Sequence, residues 1–464
     1  MEDLAILAVD HARRLGAEFS DIRVEHALGT GIAVMDGKTK TMTSQQESGC
    51  GLRAFVGGAW GFATTNTLTR ASAKSTSEAA VKMAKAARAR VKQKFTISDV
   101  KAVRASEVYR CRELPSSIPI EDKLSFCLKN DKSMTDLDSR VTSTNARYYD
   151  LEVDRTVVNS FGTLVNTRER WTLGSCSAFA RSEGIVQHGH ASYGSVGGFE
   201  LMRGNEALSL GHEAASQAIR LLDSKPVPAG EFTCIFDNRM TGMLAHEAFG
   251  HACEADGILA GASVLEGKVG KRVAVEEVSL YDDPTVKGAF GYFSIDWEGV
   301  RARKHILIED GVLRGFMHNI ESGSRMDMPS NGSARSQAYN SPPIIRMSNT
   351  YVGAGDWKKD ELIEDTKHGL LIQGSQYGYV EPAKGQFMFK CDEAYEIKGG
   401  ELGQRYRDAS LSGLVLEVLN NVDGLADDFV LTDPGYCGKS GQSARVTDGG
   451  PHMRVTNMVI GGIV

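Results

Sequence analysis

The stretch VTSTNARYYDLEVDRTVVNSFGTLVNTRERWTLGSCSAFARSEGIVQHGHASY, residues 141–193, decides the fold class. Apolar and polar residues alternate along it, and its two interruptions, Ser160-Phe161-Gly162 and Ser182-Glu183-Gly184, have the glycine-bearing composition of tight turns. This is the pattern of an antiparallel meander, because successive strand side chains take opposite faces and a short turn can join only antiparallel neighbours. Helical periodicity follows only at 205–222. Strands and helices therefore come in separate blocks rather than in β-α-β alternation, and the expected class is α+β.

Working outward, helices are predicted at 2–15, ending at Gly16, at 72–92 and near 120–129. Short strands are predicted at 22–24, 31–34 and 51–55, with turns at Asp36-Gly37 and Gly57-Gly58. The basic residues Lys82, Lys85, Arg88, Arg90, Lys92 and Lys94 read as the solvated face of the second helix and its exit, and 95–118 reads as a polar linker. The strongest linker is Asp223-Ser224-Lys225-Pro226-Val227-Pro228-Ala229-Gly230. It divides the 464 residues into an N-terminal α+β domain, 1–224, and a C-terminal domain, 225–464. Strands dominate the second domain, at 231–236, 304–309, 312–318, 343–350, 386–390 and 394–397.

The charge balance narrows the function. Lys plus Arg number 53 and Asp plus Glu 59, a net charge of −6, so no nucleic-acid partner is expected, because phosphate neutralisation needs a basic field. No run of about 18 apolar residues occurs, so no membrane span is expected. Acidic Glu2 and Asp3 stand where a secretion signal needs Lys or Arg, and the eight cysteines are scattered with no C-x-x-C pair. Both point to a reducing cytoplasm.

One helical segment carries the chemistry. Residues 238–257 read Asn-Arg-Met-Thr-Gly-Met-Leu-Ala-His-Glu-Ala-Phe-Gly-His-Ala-Cys-Glu-Ala-Asp-Gly, with Asp237 or Asn238 as cap and Gly257 as stop. His246 and His251 are five apart, whereas two-histidine zinc helices space them four apart to share a face. On a straight α-helix a spacing of five leaves the rings about 140° apart. A bend or a π-bulge, which Gly250 tolerates, would bring both to one Zn2+ ion, with Glu247 beside it as general base toward a bound water. Glu254 is then either a third ligand or the acceptor that fixes the His251 tautomer. The remaining ligand is sought among Glu254, His318, His452 and Cys437. Cys437 is favoured, because it lies in a glycine-rich loop where Lys439 could favour its thiolate.

Other motifs fall short. Gly435-x-x-Gly438-Lys439-Ser440 partly matches a phosphate loop but has Asp433 where that loop needs glycine. His212-Glu213 meets Ser216 where a second histidine should stand, and His188-Gly189-His190 reads as an exposed strand. No G-x-S-x-G elbow occurs.

His246-Glu247-Ala248-Phe249-Gly250-His251-Ala252-Cys253-Glu254-Ala255-Asp256 resembles the TldD/PmbA peptidases, specifically the zinc-bearing TldD branch. The resemblance continues through Asp296-Trp297-Glu298-Gly299-Val300, Arg346-Met347-Ser348-Asn349-Thr350, Gly385-Gln386-Phe387 and Cys437-Gly438-Lys439-Ser440-Gly441-Gln442. Upstream, Gly51-Leu52-Arg53-Ala54-Phe55 and Gly58-Ala59-Trp60-Gly61-Phe62 look like the family's amino-terminal domain. The resemblance implies a zinc metallopeptidase that cleaves unfolded or extended peptides, with metal ligands His246, His251 and Cys437 and with Glu247 activating the water. It also implies a dimer, with itself or with a TldE/PmbA-type paralogue lacking the ligands. Two positions depart from the family pattern. Ser443-Ala444-Arg445-Val446 lacks a proline before the valine, and Trp297 replaces a residue that is usually acidic. The competing expectation is a non-catalytic binding or modulator subunit whose zinc is structural, its coordination closed by a fourth protein ligand.

Overall fold

The computed structural model describes residues 1–91, 93–98 and 100–462. The fold is α+β. A seven-stranded sheet comes wholly from residues before 197. The six- and ten-stranded sheets come wholly from residues after 224. Among the described residues no helix is long and apolar enough to cross a membrane.

The predicted meander is present as three long antiparallel strands, Val141–Asn159, Leu164–Ser182 and Ile185–Val196. The first of them pairs with Phe19–Met35, which in turn pairs with Lys38–Val56. The two short strands expected at 22–24 and 31–34 are thus parts of one 17-residue strand. Gly29, Gly31 and several buried polar residues break its apolar pattern, but pairing on both edges satisfies the backbone. Asp36-Gly37 and Gly57-Gly58 do turn, all four residues at positive φ as type I′ hairpins require. The expected linker 95–118 contains a strand, Arg104–Val108, parallel to Leu164–Ser182. In the second linker, Lys225–Pro226 adds to the edge of the ten-stranded sheet. Helices cover Glu2–Arg14, Arg70–Ala87, Ile120–Thr135 and Leu210–Leu222. Of the basic residues assigned to the second helix face, Lys92 lies outside the described residues.

In the C-terminal half the strand Gly230–Phe236 runs in the middle of the ten-stranded sheet and ends at Asp237. The Asp237 carboxylate accepts from the backbone N–H of Met240 at 2.8 Å, capping the chemical segment as expected. The single helix predicted over 238–257 is in fact four pieces. Asn238–Met243 is α-helical, Leu244–Gly250 is π-helical, His251–Cys253 is a 3₁₀ turn, and Ala255–Leu259 is a new short helix. The break falls at Glu254, whose extended backbone also bridges to Met317, and Gly257 lies inside the last helix rather than stopping it. This segment packs between the two C-terminal sheets. Its glycines serve close approach. A Cβ at Gly242 would lie 2.6 Å from the backbone nitrogen of Gly449, and one at Gly250 would lie 2.2 Å from Met347 Sδ.

The cysteine loop is also not a loop. Val430–Lys439 and Gln442–Gly450 form an antiparallel hairpin closed by Ser440-Gly441, both at positive φ. Glycines at 435 and 438 disguise a strand as a coil, and the register pairs Cys437 with Ala444.

Candidate active site

The π turn solves the spacing problem. The His251 N–H donates to the carbonyl of His246, five residues back rather than four, so the two side chains lie together on one face. Their ring centroids are 5.4 Å apart with planes at 87°. The conformation of Gly250 is ordinary right-handed helix, so its lack of a side chain serves the Met347 contact and not the bulge itself. From the hairpin, Cys437 Sγ comes within 3.4 Å of His251 Nε2. One donor atom from each of His246, His251 and Cys437 lies within 4.8 Å of the others, a set that could hold a metal ion.

Burial and charge test that fit. His246 is 3% exposed, and among the described residues neither ring nitrogen has a hydrogen-bond partner. An unpartnered buried polar group costs about 1–3 kcal/mol, and a cation bound there would supply the missing partner. Burial pushes the Cys437 thiol up, but His246 and His251 overcome this and bring it down to about 4, so the sulfur is the thiolate that metals bind. Burial pulls His246 down, and the facing Cys437 reverses this and raises it to about 9. His251 is raised well above its ordinary value against the same burial, by Glu254 and Cys437. The donor set, two imidazoles and a thiolate, suits a borderline-soft divalent metal such as zinc.

The neighbours are arranged around this group. Glu254 Oε2 accepts from His251 Nδ1 at 3.0 Å, which leaves Nε2 facing Cys437. Glu254 therefore stands behind the ring. Lys439 approaches the same Glu254 oxygen at 3.1 Å and donates to Asp256 at 2.8 Å. It thus steadies the carboxylate and not the thiolate, contrary to the sequence expectation. Burial pushes Glu254 up, but His251 and Lys439 hold its carboxyl below the usual range. Glu247 lies on the open side, its carboxylate 3.9 Å from His251 Nε2 and 28% exposed.

The other candidates go elsewhere. His318 contacts Ser322 at 3.2 Å and His452 contacts Asp428 at 2.6 Å, and neither joins the donor group. His188 stacks on Phe179 at 4.7 Å, and His212 and Glu213 are exposed on their helix. Trp297 is buried with its ring over the Arg155 guanidinium at 4.2 Å. Two supports escaped sequence reasoning. Arg346 donates to the carbonyls of Cys437 and Gln442, and Asp282, buried and electrostatically coupled to His246, accepts from Ser348 and Thr350. An arginine with no acidic neighbour in sequence gives no signal that it braces backbone.

A π-bulged His-Glu-x-x-x-His turn closed by a hairpin cysteine is a group that could hold a metal ion, and similarity to known proteins gives the class a name. The PmbA/TldA metallopeptidase C-terminal domain matches residues 229–462, the central domain 113–222 and domain 1 residues 20–87. A metalloprotease of Methanothermobacter thermautotrophicus is 40% identical over 445 residues, covering 96% of each chain. A zinc metalloprotease TldD homolog of Saccharolobus solfataricus is 27% identical, covering 98% of this chain and 99% of its own. The chain belongs to the PmbA/TldD family and is a metallopeptidase. Among solved structures, a Thermotoga maritima protein named as a modulator of a DNA gyrase has a TM-score of 0.79 at 20% identity, over 99% of this chain and 100% of its own. TldE from Thermococcus kodakarensis has a TM-score of 0.76 at 19% identity, over 100% of both chains. At those identities the likeness establishes the shared fold.

Proposed function

We propose that this metallopeptidase is a zinc enzyme that hydrolyses unfolded or extended peptides, with His246, His251 and Cys437 as ligands and Glu247 as general base. The observation that carries the reading is the π turn, which brings a buried, unpartnered imidazole beside a second one and a thiolate. Zinc held there supplies a Lewis acid for the scissile carbonyl and makes the attacking water more acidic. Glu247, on the open side of the group, takes the water's proton on its carboxylate and delivers it to the leaving amine. Glu254 and Lys439 hold the His251 ring in the orientation that presents Nε2.

An extended substrate is consistent with the sheet edge in the N-terminal half. Among the described residues, 38–49 of the strand Lys38–Val56 pair with Phe19–Met35 alone, since the neighbouring strand Ala59–Thr65 pairs no further than Cys50. Such an edge can accept a peptide by main-chain hydrogen bonds with little sequence preference. A dimer, with itself or with a TldE-type subunit, agrees with the full-length fold shared with TldE. The eight free cysteines agree with a cytoplasmic location.

The test is mass-spectrometric cleavage of an unstructured peptide mixture, with a chelator control and zinc add-back. Glu247→Ala should keep zinc and lose cleavage by about 10²–10⁴-fold. Normal cleavage by that variant overturns the assignment. Zinc binding without cleavage, alone or with a TldE-type subunit, would instead favour a structural zinc in a modulator.

A further inference from the structure

A second site lies on the other side of the Cys437 hairpin. Cys437 and Tyr436 are neighbours on one strand and so point to opposite faces. Cys437 meets His251, and Tyr436 lines a cleft of about 940 Å³. Ala27, Gly29, Gly31 and Ala33 line it from successive same-face positions of the strand Phe19–Met35, and their small side chains leave the space open. Trp171 and Trp297 add aromatic wall.

The polar groups lining the cleft are poorly matched within the chain. Arg155 is paired with Glu25, at 2.6 Å, and with Glu169, and Arg445 lies 3.4 Å from Glu169. Arg335 is 2% exposed and, among the described residues, has no carboxylate in ion-pair range. Its Nη1 donates to the carbonyls of Met347 and Arg445, at 2.7 and 2.6 Å. Among the described residues its Nε has no partner, and that atom is closed off behind the cleft surface. With Arg346 and Asp282, which also act on Arg335, four buried guanidiniums thus face three buried carboxylates. The exposed pair Glu47 and Arg147 at the cleft cancel each other. Burial with Arg445 and Arg346 nearby pushes Arg335 down to about 9, the mark of a cation lacking its counter-charge. A guanidinium fork fits a carboxylate best, and charge-assisted hydrogen bonds in a desolvated site are the strong ones. The volume is that of a site for a ligand of several residues and exceeds the need of a lone ion.

We propose that this cleft binds the carboxylate of a peptide, with Arg335 as its cation, apart from the metal group. That the ligand is a peptide rests on the peptidase reading, and that it carries a carboxylate rests on the cleft alone.

Calorimetric titration of the full-length Glu247→Ala chain with two unstructured peptides, identical except for a free-acid or an amidated C-terminus, tests it without turnover. The free acid should bind about tenfold tighter or more, and Arg335→Met should erase that preference. An amidated peptide ending in glutamate separates the sources. Recovery of tight binding assigns the site to side-chain carboxylates, and no recovery assigns it to the terminal one. Because Arg335 also holds two backbone carbonyls, Arg335→Lys is the second variant. It keeps the cation and should keep a preference for the acid of a few-fold, which a merely structural loss would not. Equal binding of acid and amide, or an acid preference that survives Arg335→Met, overturns the proposal. Cleavage by the unaltered chain with no acid preference sinks this site alone, and acid preference without cleavage sinks the peptidase reading alone.

Discussion

Two pairs of histidines in the C-terminal half, with His251 half-buried and the other three buried, have their protonation driven in opposite directions. His246 and His251 are raised above the ordinary imidazole value, whereas His305 falls to about 3 and His318 to about 4. Burial lowers all four and is the largest influence in each case. The difference lies in what faces the rings. Cys437 and Glu254 stand against the first pair, and Arg303 stands near the second. Burial by itself disfavours positive charge at a ring, whereas the thiolate on the hairpin and the carboxylate behind the ring favour it, and these two groups make the surroundings of the first pair hospitable to a cation.

The largest expected effect breaks the first pair. His251→Ala or Cys437→Ser should lower zinc affinity by more than about 100-fold, since even groups that only orient a ligand are worth about 10–100-fold. His318→Ala should leave bound zinc unchanged by elemental analysis, and loss of zinc in that variant would erase the distinction. Next, Glu254→Gln removes the charge that faces the His251 ring and should cost about 10–100-fold in zinc affinity while the fold is retained.

The second pair should show itself in acid stability. His318 titrates near 6.5 when unfolded and about 4 when folded, so on acidification the unfolded chain takes up the proton first. Its contribution is fully present above about pH 6.5 and is lost as pH falls toward 4. At pH 5 this amounts to about 2 kcal/mol. His318→Asn should therefore flatten the decline of urea stability between pH 7.5 and pH 5, and an unchanged slope would remove His318 as its source. The smallest effect is expected from Lys439→Met. Glu254 keeps its contact with His251 there, so zinc affinity should fall less than about tenfold.

Much of this was legible in the sequence, and what was not has definite causes. The meander at 141–193 could be read because its sheet alternates faces and its turns carry glycine. The two histidines were legible as a pair only by admitting a helix distortion, which the i to i−5 hydrogen bond supplies. The hairpin carrying Cys437 was hidden, because Gly435 and Gly438 weaken the strand signal while pairing along Gln442–Gly450 fixes the strand. Lys439 was misassigned for a related reason. Its distance from Cys437 in sequence says nothing about Glu254 and Asp256, which a separate segment brings to it. Arg346 and Arg335 were invisible as braces, because their partners are carbonyls and any residue has one of those.

The π turn also bears on how such a site can arise in a lineage. A π turn is an α-helical turn that has taken in one residue while its ends stay in place. Deleting one codon between Glu247 and His251 would give histidines four apart on a plain α-helix, again on one face. The four- and five-residue spacings are then one insertion apart, and a helix could pass between them without a stage at which its two imidazoles point away from each other.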